Sequence, residues 1–282
     1  MQYLGVIIEP GKTSLSPAIQ QAAIDAMRLD YHYAQWSTPP NGLSTRVTGL
    51  RAPAVRGANV TIPYKEPIIP LLDEIDDVAT RVGAVNTVLN QGGRLSGHNT
   101  DVEGFSRALK DDAGFDVSGA RAVVTGAGGS ARAVVVALCE AGAESIAITA
   151  RTKSRAEGLA SAIGGGATRL EVVDESHGAL ENATLLINCT PLGTAGTPEE
   201  HSSPVPAGTI HPQMLVCDLV YRPSVTPLLR DAEARGARTL GGLPMLVYQG
   251  AASLKIWSGQ DPPTDVMFAA ARDALAQEGV SQ

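Results

Sequence analysis

Four short stretches carry side chains suited to chemistry. Asn59-Val60-Thr61-Ile62-Pro63-Tyr64-Lys65 places a lysine just past an apolar, strand-like run. Gly97-His98-Asn99-Thr100-Asp101 places a carboxylate behind a second such run. A lysine held beside a carboxylate can exchange a proton with an alcohol or the carbonyl it becomes. Spacing alone does not bring the two together, and each by itself also reads as a surface lysine or a helix-capping aspartate.

The third stretch is Gly126-Ala127-Gly128-Gly129-Ser130-Ala131. It follows the strand-like Arg121–Thr125 and opens an apolar helical run, the context a dinucleotide-binding turn requires. Gly126 permits a tight turn, Gly128 lets backbone N–H groups approach a pyrophosphate, and Ala131 lets the helix lie close on the strand. The helix N-terminus adds partial positive charge. A plain glycine-rich connection is the alternative. The fourth stretch, Ala150-Arg151-Thr152-Lys153-Ser154-Arg155, ends the next strand. An NAD site places Asp or Glu there for the ribose 2′-OH. Here Arg151, Thr152 and Arg155 suit a 2′-phosphate instead, which favours NADP. A solvated helix start is the alternative, although cations there oppose the helix dipole unless an anion binds.

The elements that must hold these residues alternate. Strands are expected at 3–8, 31–35, 58–62, 84–89 and 94–98, with a hairpin at Gln91-Gly92-Gly93. Helices are expected over Pro17–Asp30, with Ser16 as N-cap, and over about 65–80, where Ile68, Leu71, Leu72 and Ile75 share a face. Residues 37–57 give no clear pattern. A connecting helix at 102–110 follows. Strands at 121–125, 145–149, 170–173, 185–189, 215–220 and 239–240 then alternate with helices at 131–141, 155–163 and 227–234, with one short turn of helix at most over 177–180. That alternation predicts a doubly wound parallel sheet. Helices are expected again over 245–259 and 265–277. The fold class is therefore α/β in two domains. One comprises 1–103 with 240–282, its last helices returning to it; the other is 104–239.

Composition excludes several classes. The chain has 282 residues, 44% hydrophobic and 18% charged, which is ordinary for a globular protein. Net charge is −7 and no basic cluster occurs, so nucleic acid is not an expected partner. Cys139, Cys189 and Cys217 are too few and too scattered for a disulfide framework, and no Cys/His spacing suits a metal. They read as small apolar packing residues. No stretch approaches the length of a membrane span, and MQYLGVIIEP is not a signal peptide, so the cytoplasm is the expected compartment.

Taken in order, the motifs resemble the shikimate dehydrogenases and the related quinate/shikimate dehydrogenases. The resemblance runs through Ser14-Leu15-Ser16-Pro17, Asn59 to Lys65, Gly83-Ala84-Val85-Asn86-Thr87, Asn99-Thr100-Asp101, Gly126 to Ala131 and Arg151-Thr152 with Arg155. It continues through Asn188-Cys189-Thr190-Pro191-Leu192-Gly193, Asp218-Leu219-Val220-Tyr221 and Gly242 to Gln249. It implies a substrate-binding domain and a Rossmann-like NADP(H)-binding domain, with reversible reduction of 3-dehydroshikimate to shikimate on the route to chorismate and the aromatic amino acids. It implies Lys65 as acid/base, with Asp101 orienting it. Ser14 and Ser16 would hold the substrate carboxylate. Thr61, Asn86, Asp101, Gln249 and Tyr221 would meet its other groups. Asp77, Leu219 and Gly242 would contact the nicotinamide half of the cofactor, and residues 126–130 and 150–155 the rest. No metal is implied; a monomer or homodimer is expected. Thr13 stands where most members have His, Ala150 where Asn is usual, and His98 and Val102 are similar to the quinate-accepting branch. A broader quinate enzyme, a non-catalytic sensor and a dehydrogenase of another substrate such as a folate are the competing readings. The sensor would be expected to lack Lys65 or Asp101.

Overall fold

The computed structural model describes residues 1–174 and 177–280. It divides into two compact units. One is Met1–Gly104 together with the chain from Val247 onward; the other is Phe105–Leu246.

In the first unit β1 (Gln2–Ile8), β2 (Tyr31–Ser37), β3 (Val55–Val60), β4 (Glu74–Ile75), β5 (Thr87–Gln91) and β6 (Arg94–His98) form one sheet. Its order is β2-β1-β3-β5-β6-β4. β1 runs parallel to β2 and β3, whereas β5 runs antiparallel to β3 and β6. That reversal builds the site, because the start of β5 lies beside the ends of β3 and β6. Asn59 pairs with Thr87, and Thr87 with His98. The residues just past each strand end therefore converge.

Helices α1 (Ser16–Ala26), α2 (Leu43–Leu50), α3 (Asp77–Val82) and α4 (Asp101–Arg107) join these strands to one another and to the second unit. Leu43, Val47 and Leu50 of α2 close one core with Ile7, Val60, Ile68, Val85, Val88 and Leu95. Each such buried side chain contributes about 2 kcal/mol of transfer free energy. α3 is bounded by recognisable caps: the Asp76 carboxylate accepts from the Ala79 N–H at 2.6 Å, and Gly83 closes it with φ +67°.

Several expected elements differ. The segment 65–80 is not one helix: it holds a 3₁₀ turn at Ile69–Leu71, the short strand β4 and the start of α3. Pro67 and Pro70 remove backbone donors there, while the apolar spacing serves to bury Ile68. α1 ends at Ala26 rather than Asp30, and Leu15, not Ser16, is its N-cap. β5 starts at Thr87 rather than Ala84, and β3 covers Val55–Val60 rather than 58–62.

The second unit is a parallel sheet of β7 (Arg121–Thr125), β8 (Ser145–Thr149), β9 (Arg169–Val172), β10 (Leu185–Asn188), β11 (Leu215–Asp218) and β12 (Arg238–Leu240). Its order, β12-β11-β10-β7-β8-β9, places β8 on one side of β7 and β10 on the other. The chain's direction of winding switches there, and such switch points are where doubly wound sheets bind ligands. Helices α5 (Gly129–Glu140), α6 (Lys153–Ile163), α7 (His177–Leu180) and α8 (Pro227–Ala234) connect the strands. Val123, Leu186, Met214, Val216, Leu228 and Leu229 fill one core. α9 (Leu243–Ser258) carries the chain back into the first unit, and α10 (Thr264–Val280) packs on α1. No helix among the described residues is long and apolar enough to cross a membrane.

Candidate active site

Lys65 follows β3 by five residues, and Asp101 follows β6 by three. The turn after β3 is pinned by Thr61 N–H to the Ile7 carbonyl and Val85 N–H to the Lys65 carbonyl. The loop after β6 is pinned by Asn99, whose side chain donates to the Ala84 carbonyl at 2.8 Å and accepts from the Asp101 N–H at 3.0 Å. These anchors bring the Lys65 Nζ within 2.7 Å of Asp101 Oδ2. The pair is only 11% and 5% exposed at the side chains. Nearly dry surroundings strengthen the attraction and hold one geometry.

Asn86 completes the group. Its Nδ2 donates to Asp101 Oδ1 at 2.9 Å and approaches Gln249 Oε1, on α9, at 3.3 Å. Asn86 is buried and Gln249 half-buried. The structure thus gathers Lys65, Asp101, Asn86 and Gln249, with half-buried Thr61 at the end of β3. Ser14 and Ser16 form a second group at the start of α1. Their hydroxyls are 3.0 Å apart, and the Ser16 N–H donates to Ser14 Oγ at 3.1 Å.

Some residues that matter to this arrangement carry no motif signal. Gln35 braces the serine loop, accepting from the Ser14 N–H at 3.2 Å and donating to the Lys12 carbonyl at 2.9 Å. Tyr33 braces Asn59: its hydroxyl donates to Asn59 Oδ1 at 2.7 Å. Burial pushes the Tyr33 phenol far above its ordinary range, so it stays protonated. Asn59 and Ser253 lie beneath Asn86, their side chains 2.9 Å apart. A buried polar residue inside an apolar strand, such as Asn59, is the one signal the sequence offered.

His98 ends β6, with Nδ1 2.8 Å from Asp76 Oδ2 and Nε2 3.0 Å from Ser96 Oγ. Burial pulls the Asp76 carboxyl upward, but His98 and the α3 N–H groups outweigh that and leave it below its usual range. Asp77, next in the chain, is exposed at the first turn of α3.

In the second unit, the Gly126 turn sits at the end of β7. Gly126 has φ +109°, and a Cβ there would lie 3.2 Å from the Cys189 backbone. Gly128 is the N-cap of α5 and uses no side-chain cap; a Cβ there would meet nothing within 4 Å. The α5 N-terminus therefore opens onto space, with Ala127, Gly129 and Ser130 around it and its first N–H groups uncapped by a side chain. These features fit the phosphates of a dinucleotide. The second arm fits too. Arg151, Thr152, Lys153, Ser154 and Arg155 are exposed, Ala150 half-buried, and α6 has no acidic residue in its first turn. Arg151 makes no hydrogen bond or ion pair to any described residue, whereas Lys153 is tied to Asp174 at 2.7 Å.

Leu219 and Gly242 touch each other. A Cβ on Gly242 would fall 2.2 Å from the Leu219 carbonyl oxygen, so only glycine fits. The Arg222 guanidinium lies 5.5 Å over the Tyr221 ring. Beneath this segment is Asp218, which is fully buried. Its carboxylate accepts from Asn188 Nδ2 at 2.9 Å, Thr226 Oγ1 at 2.6 Å and the Val220 N–H at 3.0 Å. Burial nevertheless pushes its pKa above the usual carboxylate range. The cysteine thiols at 189 and 217 are pushed up for the same reason. No cluster of potential metal ligands occurs among the described residues.

A doubly wound unit with a dinucleotide turn, joined in one chain to a unit bearing a buried lysine–carboxylate pair, defines a nucleotide-dependent oxidoreductase of the α/β class. Comparison with known proteins narrows this. Three family models match: the shikimate dehydrogenase substrate-binding domain over residues 6–88, shikimate/quinate 5-dehydrogenase over 108–235, and the shikimate 5′-dehydrogenase C-terminal domain over 242–272. A shikimate dehydrogenase (NADP(+)) of Moorella thermoacetica is 44% identical over 271 residues, spanning 94% of this chain and 91% of that one. The one from Symbiobacterium thermophilum is 43% identical over 281 residues, spanning 97% and 95%. The crystal structure of shikimate 5-dehydrogenase from Thermus thermophilus in complex with NADP(H) and shikimate superimposes with a TM-score of 0.88 at 41% identity, covering 98% of this chain and all of that one. The chain belongs to the shikimate dehydrogenase family.

Proposed function

We propose that this protein reduces 3-dehydroshikimate to shikimate, reversibly and with NADP(H), and that Lys65 is its acid/base. The observation that carries the residue assignment is the 2.7 Å Lys65–Asp101 pair closed by Asn86. The activity itself follows from kinship at 44% identity over nearly the whole chain. The reaction belongs to the synthesis of chorismate and the aromatic amino acids.

The residues divide the work as follows. Ser14 and Ser16 offer two hydroxyls and a backbone N–H to the substrate carboxylate. Thr61, Asn86, Gln249 and Tyr221 offer hydroxyl, amide and phenol groups to its polar substituents. Such pairing matters because each polar group left buried and unpaired costs about 1–3 kcal/mol. Lys65 Nζ gives a proton to the carbonyl oxygen as it becomes an alcohol, and takes it back in the reverse direction. Asp101 holds the ammonium and accepts from a substrate hydroxyl. The cofactor supplies the hydride. Residues 126–130 would hold its pyrophosphate, with Arg151, Thr152 and Arg155 on the 2′-phosphate and Ala150, Lys153 and Ser154 beside them. Leu219, Gly242 and Asp77 are assigned to its nicotinamide half. We infer that the protein works on a small molecule in the cytoplasm, without nucleic acid or metal, as a monomer or homodimer.

The test is oxidation of shikimate and of quinate, each with NADP+ and with NAD+. Rapid turnover of shikimate with NADP+ alone is expected. Comparable rates with quinate, or a preference for NAD+, would overturn the narrow assignment in favour of the broader branch. No turnover in any combination would overturn the activity.

A further inference from the structure

Asp218 is a buried carboxylate that the proposed chemistry does not use. It ends β11, and it is closed off from solvent together with Asn188 and Thr226. Its Oδ1 accepts from Asn188 Nδ2 at 2.9 Å and from the Val220 N–H at 3.0 Å; its Oδ2 accepts from Thr226 Oγ1 at 2.6 Å. The Asn188 amide cannot be turned round, because the Thr190 N–H, a fixed donor, points at its Oδ1 at 3.0 Å. Every group bonded to the carboxylate is therefore neutral. Among the described residues no lysine or arginine pairs with it. Arg222, four residues on, lies over the Tyr221 ring instead. Burial keeps the neighbouring thiols of Cys189 and Cys217 protonated.

The hydrogen bonds do not need this charge. An asparagine at 218 would keep all three: its Oδ1 would accept from Asn188 and Val220, and its Nδ2 would donate to Thr226 Oγ1, a hydroxyl able to accept. A buried charge without a counter-ion costs folding free energy, and burial does raise the pKa of this carboxyl. A charge kept at that cost, where a neutral side chain of the same shape would keep the bonds, calls for a role outside folding.

The sheet order fixes where a cation would arrive. The Gly126 turn follows β7 and the Arg151 arm follows β8, on one side of the switch point. A dinucleotide with its pyrophosphate at the first and its 2′-phosphate at the second extends its other half over the ends of β10 and β11. Asn188 and Asp218 are those ends. Leu219, packed on Gly242, comes next in the chain. A nicotinamide ring carries a positive charge when oxidised and none when reduced.

We infer that Asp218 supplies the counter-charge for the oxidised nicotinamide ring, and so favours NADP+ over NADPH more than an uncharged residue would. This role rests on the cofactor reading above. The carboxylate acts through buried protein, where solvent screens it little. In the reductive direction the hydride passes from the ring to the substrate carbonyl carbon and Lys65 protonates the oxygen; Asp218 stabilises the positive charge left behind.

Asp218→Asn tests this by binding alone. The dissociation constants for NADP+ and NADPH are measured by calorimetry without substrate. In the variant the ratio of the NADP+ to the NADPH constant is expected to rise about tenfold, nearly all of it through weaker NADP+ binding. Both forms share the pyrophosphate and the 2′-phosphate, so the ratio cancels any change in how those are held. If Asp218→Asn does not fold, Asp218→Ser removes the charge and leaves an oxygen to accept from the Val220 N–H, and the same rise is expected. A folded variant whose ratio stays within about twofold of the wild type, with both forms weakened alike or neither, would overturn the inference. A wild type that binds both forms but oxidises no shikimate would overturn the substrate reading, while the ratio still decides the role of Asp218. A wild type that binds neither form would overturn the cofactor reading and this role with it.

Discussion

Replacing Arg151 by Ala isolates the choice of cofactor. Arg151 is exposed, stands just before α6 and makes no hydrogen bond or ion pair to a described residue. Its loss therefore leaves the fold alone. A hydrogen bond to a charged group is worth about 2 kcal/mol, near the lower end of its range at an exposed site. That corresponds to about thirtyfold in binding. Arg151→Ala should therefore raise the KM for NADP+ about thirtyfold, with the KM for NAD+ and for shikimate within about twofold. Lys153→Ala is the internal control: its ammonium is held by Asp174 at 2.7 Å, so the same assay should move by less than about threefold. The assay is initial-rate formation of reduced nicotinamide, with each cofactor varied at saturating shikimate. If Arg151→Ala left the KM for NADP+ unchanged, or raised both cofactors' KM together, the 2′-phosphate would be held elsewhere.

Three further outcomes follow from the same geometry. Gly128→Ala and Gly242→Ala should separate binding from folding. The first adds a methyl group to open space and should keep stability while weakening NADP+ binding at least about tenfold; the second drives a Cβ to 2.2 Å from the Leu219 carbonyl and should cost about 3 kcal/mol in urea unfolding. Asp218→Asn should gain stability relative to the wild type as pH rises from about 4 to 7. The raised carboxyl stabilises the native state below its unfolded pKa, and that contribution is lost as pH climbs through the folded value, whereas Asn is unaffected; a variant that loses stability relative to the wild type over that range would contradict the shift. The thiols at 189 and 217 should react with a thiol reagent far more slowly in the native than in the unfolded protein, since burial disfavours their thiolates.

The second unit was the easier one to read. Its strands are continuous apolar runs, each followed by a turn and a helix, so β7, β8 and α8 stand where their patterns put them. In the first unit local pattern and tertiary demand part company. Ile68, Leu71, Leu72 and Ile75 do face a core, but two prolines make the backbone reach it through turns and a short strand. α2 was hidden because Ser, Thr and Gly surround Leu43, Val47 and Leu50, so one apolar face carries a helix with little propensity of its own. Lys65 and Asp101 were visible as chemistry but not as a pair, because the antiparallel reversal at β5 that joins them is a long-range feature. The buried hydroxyls that hydrogen-bond beneath Asn86 were invisible. Thr87, Thr100 and Ser253 are common residues whose meaning lies wholly in distances between remote segments.

The most direct test of the central claim is the turnover of Lys65→Met with saturating shikimate and NADP+. Met keeps the length of the stem and removes only the proton carrier. The account predicts a fall in kcat of about a thousandfold, with the KM for NADP+ and the folded circular dichroism spectrum preserved. A folded variant within about tenfold of wild-type kcat would contradict it, and the proton would have to come from another group.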